Sequence, residues 1–296
     1  MLEIYQHLPG YINPIVVSVG FLNIRWYSLM YLVAFITVYF LLKKRAQKIN
    51  YNQSLVFDFL IYAIVGLLIG ARLGYVFFYN FSYFLKNPLL IISPYDFYSD
   101  VYTGISGMSY FGGLIGIILA TLIFVRKNKL YPHTNMSDKS KNSQCSNSVG
   151  VGVNFWSWAD FIIPAVPAGY FFGRIGNFLN GELYGRVTVK FWGMYFSGGG
   201  GILRHPSQLY EAFFEGVILF LILWILRDKS KFPGQLLIIY FFGYGFFRFF
   251  IEFFREPDAQ IGLLARFLTL GQFFSLGLIA SSLILYFWQK SKKMIE

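Results

Sequence analysis

Long apolar runs alternate with short polar breaks along the chain, and the lengths of those runs set the architecture. A helix needs about 20 apolar residues to cross the hydrocarbon of a bilayer. Seven stretches fit: 19–42, 55–80, 106–125, 155–180, 207–226, 233–254 and 267–288. None alternates over about 10 residues in the manner of a membrane β-strand. The pattern predicts an all-α, polytopic protein of about seven transmembrane helices, forming one domain over 1–296.

Polar positions between the runs give direction. Lysines and arginines after spans 1, 3 and 5 and in the C-terminal tail number fifteen, against six in the remaining breaks. The richer side is cytoplasmic by the positive-inside rule. The N-terminus is then outside and the C-terminus inside. Residues 127–153, rich in Ser, Asn and Lys, read as a flexible cytoplasmic loop. Residues 81–105 and 186–206 fall on the outer face. The first contains LKNPLLIISPYDF, too short to span and broken by Pro88 and Pro94, and reads as interfacial. No internal repeat is evident, which weakens a transporter reading.

Composition agrees. The 296 residues are 56% hydrophobic and 13% charged, whereas a soluble domain is about 25% charged. The net charge of +11 sits in the clusters that orient the spans, so it argues for topology rather than for a nucleic-acid partner. The single cysteine, Cys145, belongs to no disulfide framework or metal-ligand spacing. The first residues lack the basic start of a cleavable signal peptide.

Four arginines fall inside the expected spans: Arg25, Arg72, Arg174 and Arg248. A charge at mid-bilayer costs at least about 2.5–3.5 kcal/mol, so each needs a reason. With the orientation above, all four lie in the outer half, as do Glu211, Glu215 and Glu252. Asp58 and Asp160 lie at cytoplasmic span ends and suit helix N-termini. Arginines near span ends can simply snorkel to the interface. The alternative is a polar hollow opening outward with a positive field, whose ligand is an anionic headgroup gripped by planar guanidinium forks.

Two segments sharpen that alternative. Tyr244, Arg248, Glu252 and Arg255 fall at i, i+4, i+8 and i+11 and share an arc of roughly 80° on a helix. An internal Arg–Glu pair explains the same spacing without any ligand. In GRIGNFLNGELYGR, Arg174 and Asn177 are helical neighbours, followed by Asn180, Glu182 and Gly185. Glycines there permit close backbone approach. In span 3, Gly112, Gly113 and Gly116 share a face suited to tight helix packing.

At these segments the chain strongly resembles the prolipoprotein diacylglyceryl transferase family. The blocks that carry the resemblance are RWYSLMYL (25–32), GARLGYVFFY (70–79), SGMSYFGGLIG (106–116), GRIGNFLNGELYG (173–185), HPSQLYEA (205–212) and FRFFIEFFREPDAQIG (247–262). They occur in order over most of the chain, and 127–153 looks like an insertion. The resemblance implies transfer of the diacylglyceryl group of phosphatidylglycerol to the lipobox cysteine of a secreted precursor. A thioether forms, glycerol phosphate leaves, and no metal or soluble cofactor is used. It implies a bacterial plasma-membrane location, with phosphatidylglycerol, the prolipoprotein and the bilayer as partners. It also implies catalytic roles for Tyr27, Arg174, Asn177, Glu182, Tyr244 and Arg248, and phosphatidylglycerol binding by Arg174, Arg248, Asn180, Gly185, Glu252 and Arg255.

One departure concerns the base. Family members often carry a histidine just before the paired glycines of span 3, and this chain has Phe111, which can neither accept nor donate a proton. Tyr110, Tyr27, Tyr244, Glu182 and His205 are the candidates to replace it. The rival functions are a flippase or transporter for an anionic solute and a purely structural membrane subunit. The first needs polar residues through the inner half, where this chain has few.

Overall fold

The computed structural model describes residues 2–20, 22–93, 95–96, 101–102, 107–128, 155–256, 263–264 and 268–295. Helices dominate. In chain order they are α1 (Leu2–Tyr11), α2 (Trp26–Lys48), α3 (Ser54–Phe78), α4 (Phe81–Lys86), α5 (Tyr110–Lys127), α6 (Phe155–Ile162), α7 (Val166–Leu179), α8 (Ser207–Leu226), α9 (Gln235–Ile251) and α10 (Leu270–Ile295). Among the described residues, strand pairing is limited to short two-stranded hairpins and three isolated bridges. Among the described residues, α2, α3, α8 and the segment Leu270–Ser291 of α10 are long and apolar enough to cross a membrane, and α9 is a shorter apolar helix. The chain divides into two compact units, residues 1–45 with 159–296, and residues 46–158.

The first unit holds the expected spans 1 and 4 to 7, with four revisions. Span 1 begins at Trp26 rather than near 19, because Ile15–Val19 (β1) and Leu22–Arg25 (β2) pair antiparallel instead. Their β-branched, alternating sequence suits a strand, and Gly20, at φ +60°, makes the reversal between them. Arg25 is therefore an exposed strand residue just before the helix rather than part of it. Span 4 is broken: α6 passes through a 3-10 turn at Ile163–Ala165 into α7, since Pro164 and Pro167 lack the N–H that an unbroken helix needs. Span 5 contains a π-helical segment, Ala212–Ile218, in which Gly216 sits against the backbone of Phe171; Glu215 within it and Glu211 just before it are both buried. The helical part of span 6 stops at Ile251, and Glu252–Phe254 form a turn.

A polar staple closes the other end of this unit. Arg45 donates to the carbonyls of Asp160 and Phe161 at 2.7 Å each and to that of Arg227 at 2.9 Å. The Asp160 carboxylate accepts from the backbone N–H groups of Gly234 (2.8 Å) and Leu237 (3.1 Å). It caps a helix N-terminus as expected, but the helix is α9 rather than its own.

In the second unit α3 and α5 meet through small residues. A Cβ added at Gly74 would lie 2.6 Å from the Cα of Gly112, so the expected tight packing of the span 3 glycines is present. Arg72 donates to the carbonyls of Ile91 (2.8 Å), Leu90 (2.6 Å) and Gly107 (3.2 Å), and its guanidinium lies over the Phe84 ring. It ties a 3-10 turn (Pro88–Ile91) to α3, which is a structural task. Most of the loop expected at 127–153, Cys145 included, lies outside the described residues.

Candidate active site

The site is built where α7, α8 and the turn after α9 end together. Glu211, on the first turns of α8, is its centre, with a side chain that has 0% exposure. One carboxylate oxygen, Oε2, meets Arg174 Nε of α7 at 2.7 Å and Arg248 Nη1 of α9 at 2.9 Å. The other, Oε1, lies 3.9 Å from Arg255 Nε. Glu252 supplies a second, 3%-exposed carboxylate, 3.2 Å from Arg248 Nη2 and 3.7 Å from Arg255 Nη1. Three guanidinium groups thus share two buried carboxylates.

Burial makes such an arrangement costly unless every charge is paired. The expected positive field is accordingly reduced rather than open, with three guanidinium groups set against the two carboxylates of Glu211 and Glu252. The arginines themselves stay partly accessible, at 18% for Arg174, 11% for Arg248 and 15% for Arg255. A guanidinium has five donors in a fixed plane. This pairing leaves N–H edges, together with a surplus of positive charge, as what the site offers an anion.

Around this core the remaining polar residues form a chain. Arg174 Nη1 donates to Asn177 Oδ1 at 3.2 Å, and Asn177 Nδ2 donates to Glu182 Oε1 at 3.1 Å. The backbone bends to allow this: Gly181 sits at φ +67° and Leu183 at φ +58°, and the Glu182 N–H returns to the Asn177 carbonyl at 3.1 Å. Glu182 is exposed, and its carbonyl accepts from buried Gln208 at 2.6 Å. Tyr170 of α7 hydrogen-bonds Glu215, lies 3.2 Å from Glu211 Oε2 and stacks under the Arg174 guanidinium at 4.8 Å. Tyr244 meets the Tyr170 ring edge-on at 5.8 Å.

Gly185 explains how Arg255, beyond the helix, reaches the cluster. It bridges to Arg255, and its N–H donates to the His205 carbonyl at 2.8 Å. A Cβ there would come within 2.8 Å of that same carbonyl oxygen and clash with the Phe254 carbonyl. Close backbone approach, the reason glycine was expected at this position, is therefore structural as well as local to the site.

The family model for prolipoprotein diacylglyceryl transferase matches residues 14–140 and 143–288. The chain belongs to the prolipoprotein diacylglyceryl transferase family. Relatives named phosphatidylglycerol–prolipoprotein diacylglyceryl transferase include one from Chlorobaculum tepidum, 45% identical over 97% of this chain and 93% of its own length. One from Pseudoalteromonas translucida is 45% identical over 94% of this chain and 92% of its own. One from Campylobacter jejuni is 37% identical over 99% of each.

The residues expected to serve a member of this transferase family fall into three groups. Arg174, Arg248, Arg255, Glu252, Asn177, Glu182 and Tyr244 come together as described. Tyr27 lies beside them: its backbone would be 3.4 Å from a Cβ at Gly176, which stands between Arg174 and Asn177 in the chain, and its hydroxyl donates to that of Tyr31 at 3.0 Å. Asn180 caps the end of α7, with its Oδ1 buried and unpartnered by the described protein groups. His205 stands apart, hydrogen-bonded to the Tyr210 hydroxyl at 3.0 Å and edge-on to Phe254. Burial, and then the Lys190 charge, push its pKa below the ordinary value. Tyr110 begins α5, and its side chain, like that of Phe111, lies outside the described residues.

Sequence reasoning placed Glu211 in the outer half but gave it no site role, and it overlooked Tyr170 and Gln208. Only the HPSQLYEA block pointed to Glu211 and Gln208. Nothing distinguished Tyr170 from other aromatics of an apolar helix.

Proposed function

We propose that this chain transfers the diacylglyceryl group of phosphatidylglycerol to the lipobox cysteine of prolipoproteins, in a bacterial plasma membrane, with its site toward the outer face. The observation that carries this is the convergence of Arg174 and Arg248, from separate helices, on one oxygen of a fully buried carboxylate while both remain partly accessible. Such a pair is rigid before any ligand arrives, and a preorganised donor set stabilises charge that develops during reaction.

The chemistry is a displacement at carbon. The cysteine sulfur, as thiolate, attacks the glyceryl carbon that carries the phosphate. A carbon–sulfur bond forms, the carbon–oxygen bond to phosphate breaks, and glycerol phosphate leaves with the electron pair. Arg174 and Arg248 hold the phosphate and take up its growing charge, with Arg255 and Glu252 keeping Arg248 in place. Holding lipid and thiol together supplies proximity. Glu182 is the favoured acceptor of the thiol proton. Its carboxylate is exposed, and two hydrogen bonds through Asn177 join it to Arg174, so the proton's destination and the phosphate clamp lie side by side. The displacement calls for no metal or soluble cofactor. Residues 81–105 and 186–206 face outward, and 127–153 is a cytoplasmic insertion.

The test is incubation of the purified full chain with phosphatidylglycerol vesicles and a lipobox peptide. Glycerol phosphate should appear only with the peptide, one per thioether formed. Release without peptide, or with a peptide whose cysteine is replaced by serine, would mean a phospholipase instead. No release would remove the transferase reading for this chain.

A further inference from the structure

Outside the site, the most exposed large hydrophobic residue among the described residues of the first unit is Val189, at the tip of the segment that leaves the site at Gly185 and returns to it at His205. The two arms of this segment pair through the bridges of Val187 and Met194 with Arg204. Its tip is a tight turn in which the Gly193 N–H donates to the Lys190 carbonyl at 3.0 Å and the Lys190 N–H donates to Thr188 Oγ1 at 3.2 Å. The turn presents Val189 at 94% exposure, Phe191 at 67% and Trp192 at 37%. The α1 helix braces it: Tyr5 donates to the Trp192 carbonyl at 3.1 Å and Gln6 to the Phe191 carbonyl at 3.0 Å, while His7 stacks on Tyr195. The bracing helix also carries exposed Leu2, Ile4, Leu8 and Tyr11.

We infer that the Val189–Trp192 turn, braced by α1, is an anchor that inserts into the membrane interface. This goes beyond the proposed reaction and rests only on the chain's crossing of a bilayer. Three features select lipid as the occupant. The tip is convex, with a valine almost wholly uncovered, so a soft medium that closes around it fits better than a rigid protein surface. Its residues are an aliphatic, two aromatics and a lysine, the mixture that settles at headgroup depth, with the apolar side chains inward and the charge outward. Lys190 lies 6.0 Å from the Trp192 ring and supplies positive charge for anionic headgroups. Residues so exposed would be a liability in water.

The anchor is keyed to the site. Arg204, at its base, donates to the Gly185 carbonyl at 3.3 Å and to the Gly199 carbonyl at 3.0 Å, and it pairs with Glu256 at 2.6 Å. Insertion of the tip therefore fixes the depth of the arms that carry Gly185 and His205, next to the arginine cluster.

The experiment uses the full chain with Cys145→Ser and a nitroxide attached at Val189→Cys, reconstituted in vesicles of phosphatidylcholine with phosphatidylglycerol. Collision rates with oxygen, which concentrates in lipid, are compared with those of a water-soluble nickel chelate. The expected result is oxygen access several-fold above nickel access, with the same order for a label at Phe191→Cys. Nickel access above oxygen access at both positions would place the tip in water and overturn the inference. Low access to both reagents would mean that protein, such as a second copy, covers the tip, and would overturn it equally.

Discussion

Glu211 is the residue on which the arrangement of the others depends. Removing one partner of a buried ion cluster leaves uncompensated charge, at a cost of about 3–5 kcal/mol. Glu211→Ala should release both Arg174 and Arg248 and lower the initial rate of diacylglyceryl transfer at least about 100-fold, as loss of a preorganised donor does. Residues that act as one unit are not additive. The Glu211→Ala, Arg248→Ala double variant should therefore be little slower than the worse single variant, and independent multiplication of the two losses would show that they do separate work. His205 supports a second expectation. Its pKa is depressed in the folded chain, so the folded state favours the neutral ring. The unfolded chain takes up a proton first as pH falls below the ordinary value of about 6.5, and folded stability is lost across that window. Thermal midpoints measured from pH 8 down to pH 5 should fall less for His205→Gln than for the parent chain.

At the scale of elements, helix ends do most of the positioning. Asp160 caps α9 from another helix, and losing such a cap costs about 0.5–2 kcal/mol. Asp160→Ala should lower the thermal midpoint while leaving turnover below the transition close to the parent's, because the capped end is far along α9 from Arg248. Gly185→Ala should do the reverse, with transfer lost through displacement of Arg255 and the His205 strand more than through unfolding. How much of this was legible in the sequence follows the same division. Periodicity and run length disclosed most helices, and the i, i+4 relation of Arg248 to Glu252 and the i, i+3 relation of Arg174 to Asn177 survive as contacts. Those are local geometry, which spacing determines. Arg255 was assigned to a helical face, yet the helix ends four residues before it, and only the pairing with Gly185 brings it back. Glu211 joins the cluster from a different helix, a long-range contact that no spacing within one helix anticipates. The β1–β2 hairpin was read as the start of span 1 because a short apolar run does not itself distinguish strand from helix.

At the scale of the whole molecule, the sidedness of charge and the position of the cluster are complementary. Within the first unit, Arg45 and Arg227 meet at the start of α9, while Arg248 and Arg255 of the site lie at its far end and beyond. Proposed as cytoplasmic and outer ends respectively, these place the phosphate clamp where a secreted precursor emerges. The sequence expects 127–153 to be an insertion outside the site, and most of it lies outside the described residues. Replacing residues 130–153 with a short Gly/Ser linker should leave transfer within about twofold of the parent, since long surface insertions carry little conformational cost. A larger loss, seen in the same vesicle assay, would give the insertion a role in the reaction. The central claim, contact between paired arginines and the lipid phosphate, is most directly tested by magic-angle-spinning NMR on the full chain with 15N-labelled arginine in phosphatidylglycerol bilayers. Dephasing of guanidinium nitrogen by 31P is expected for the parent chain and should be lost when Arg174 and Arg248 are both changed to lysine. Dephasing that persists unchanged in that double variant, or that is absent from the parent, would contradict the account.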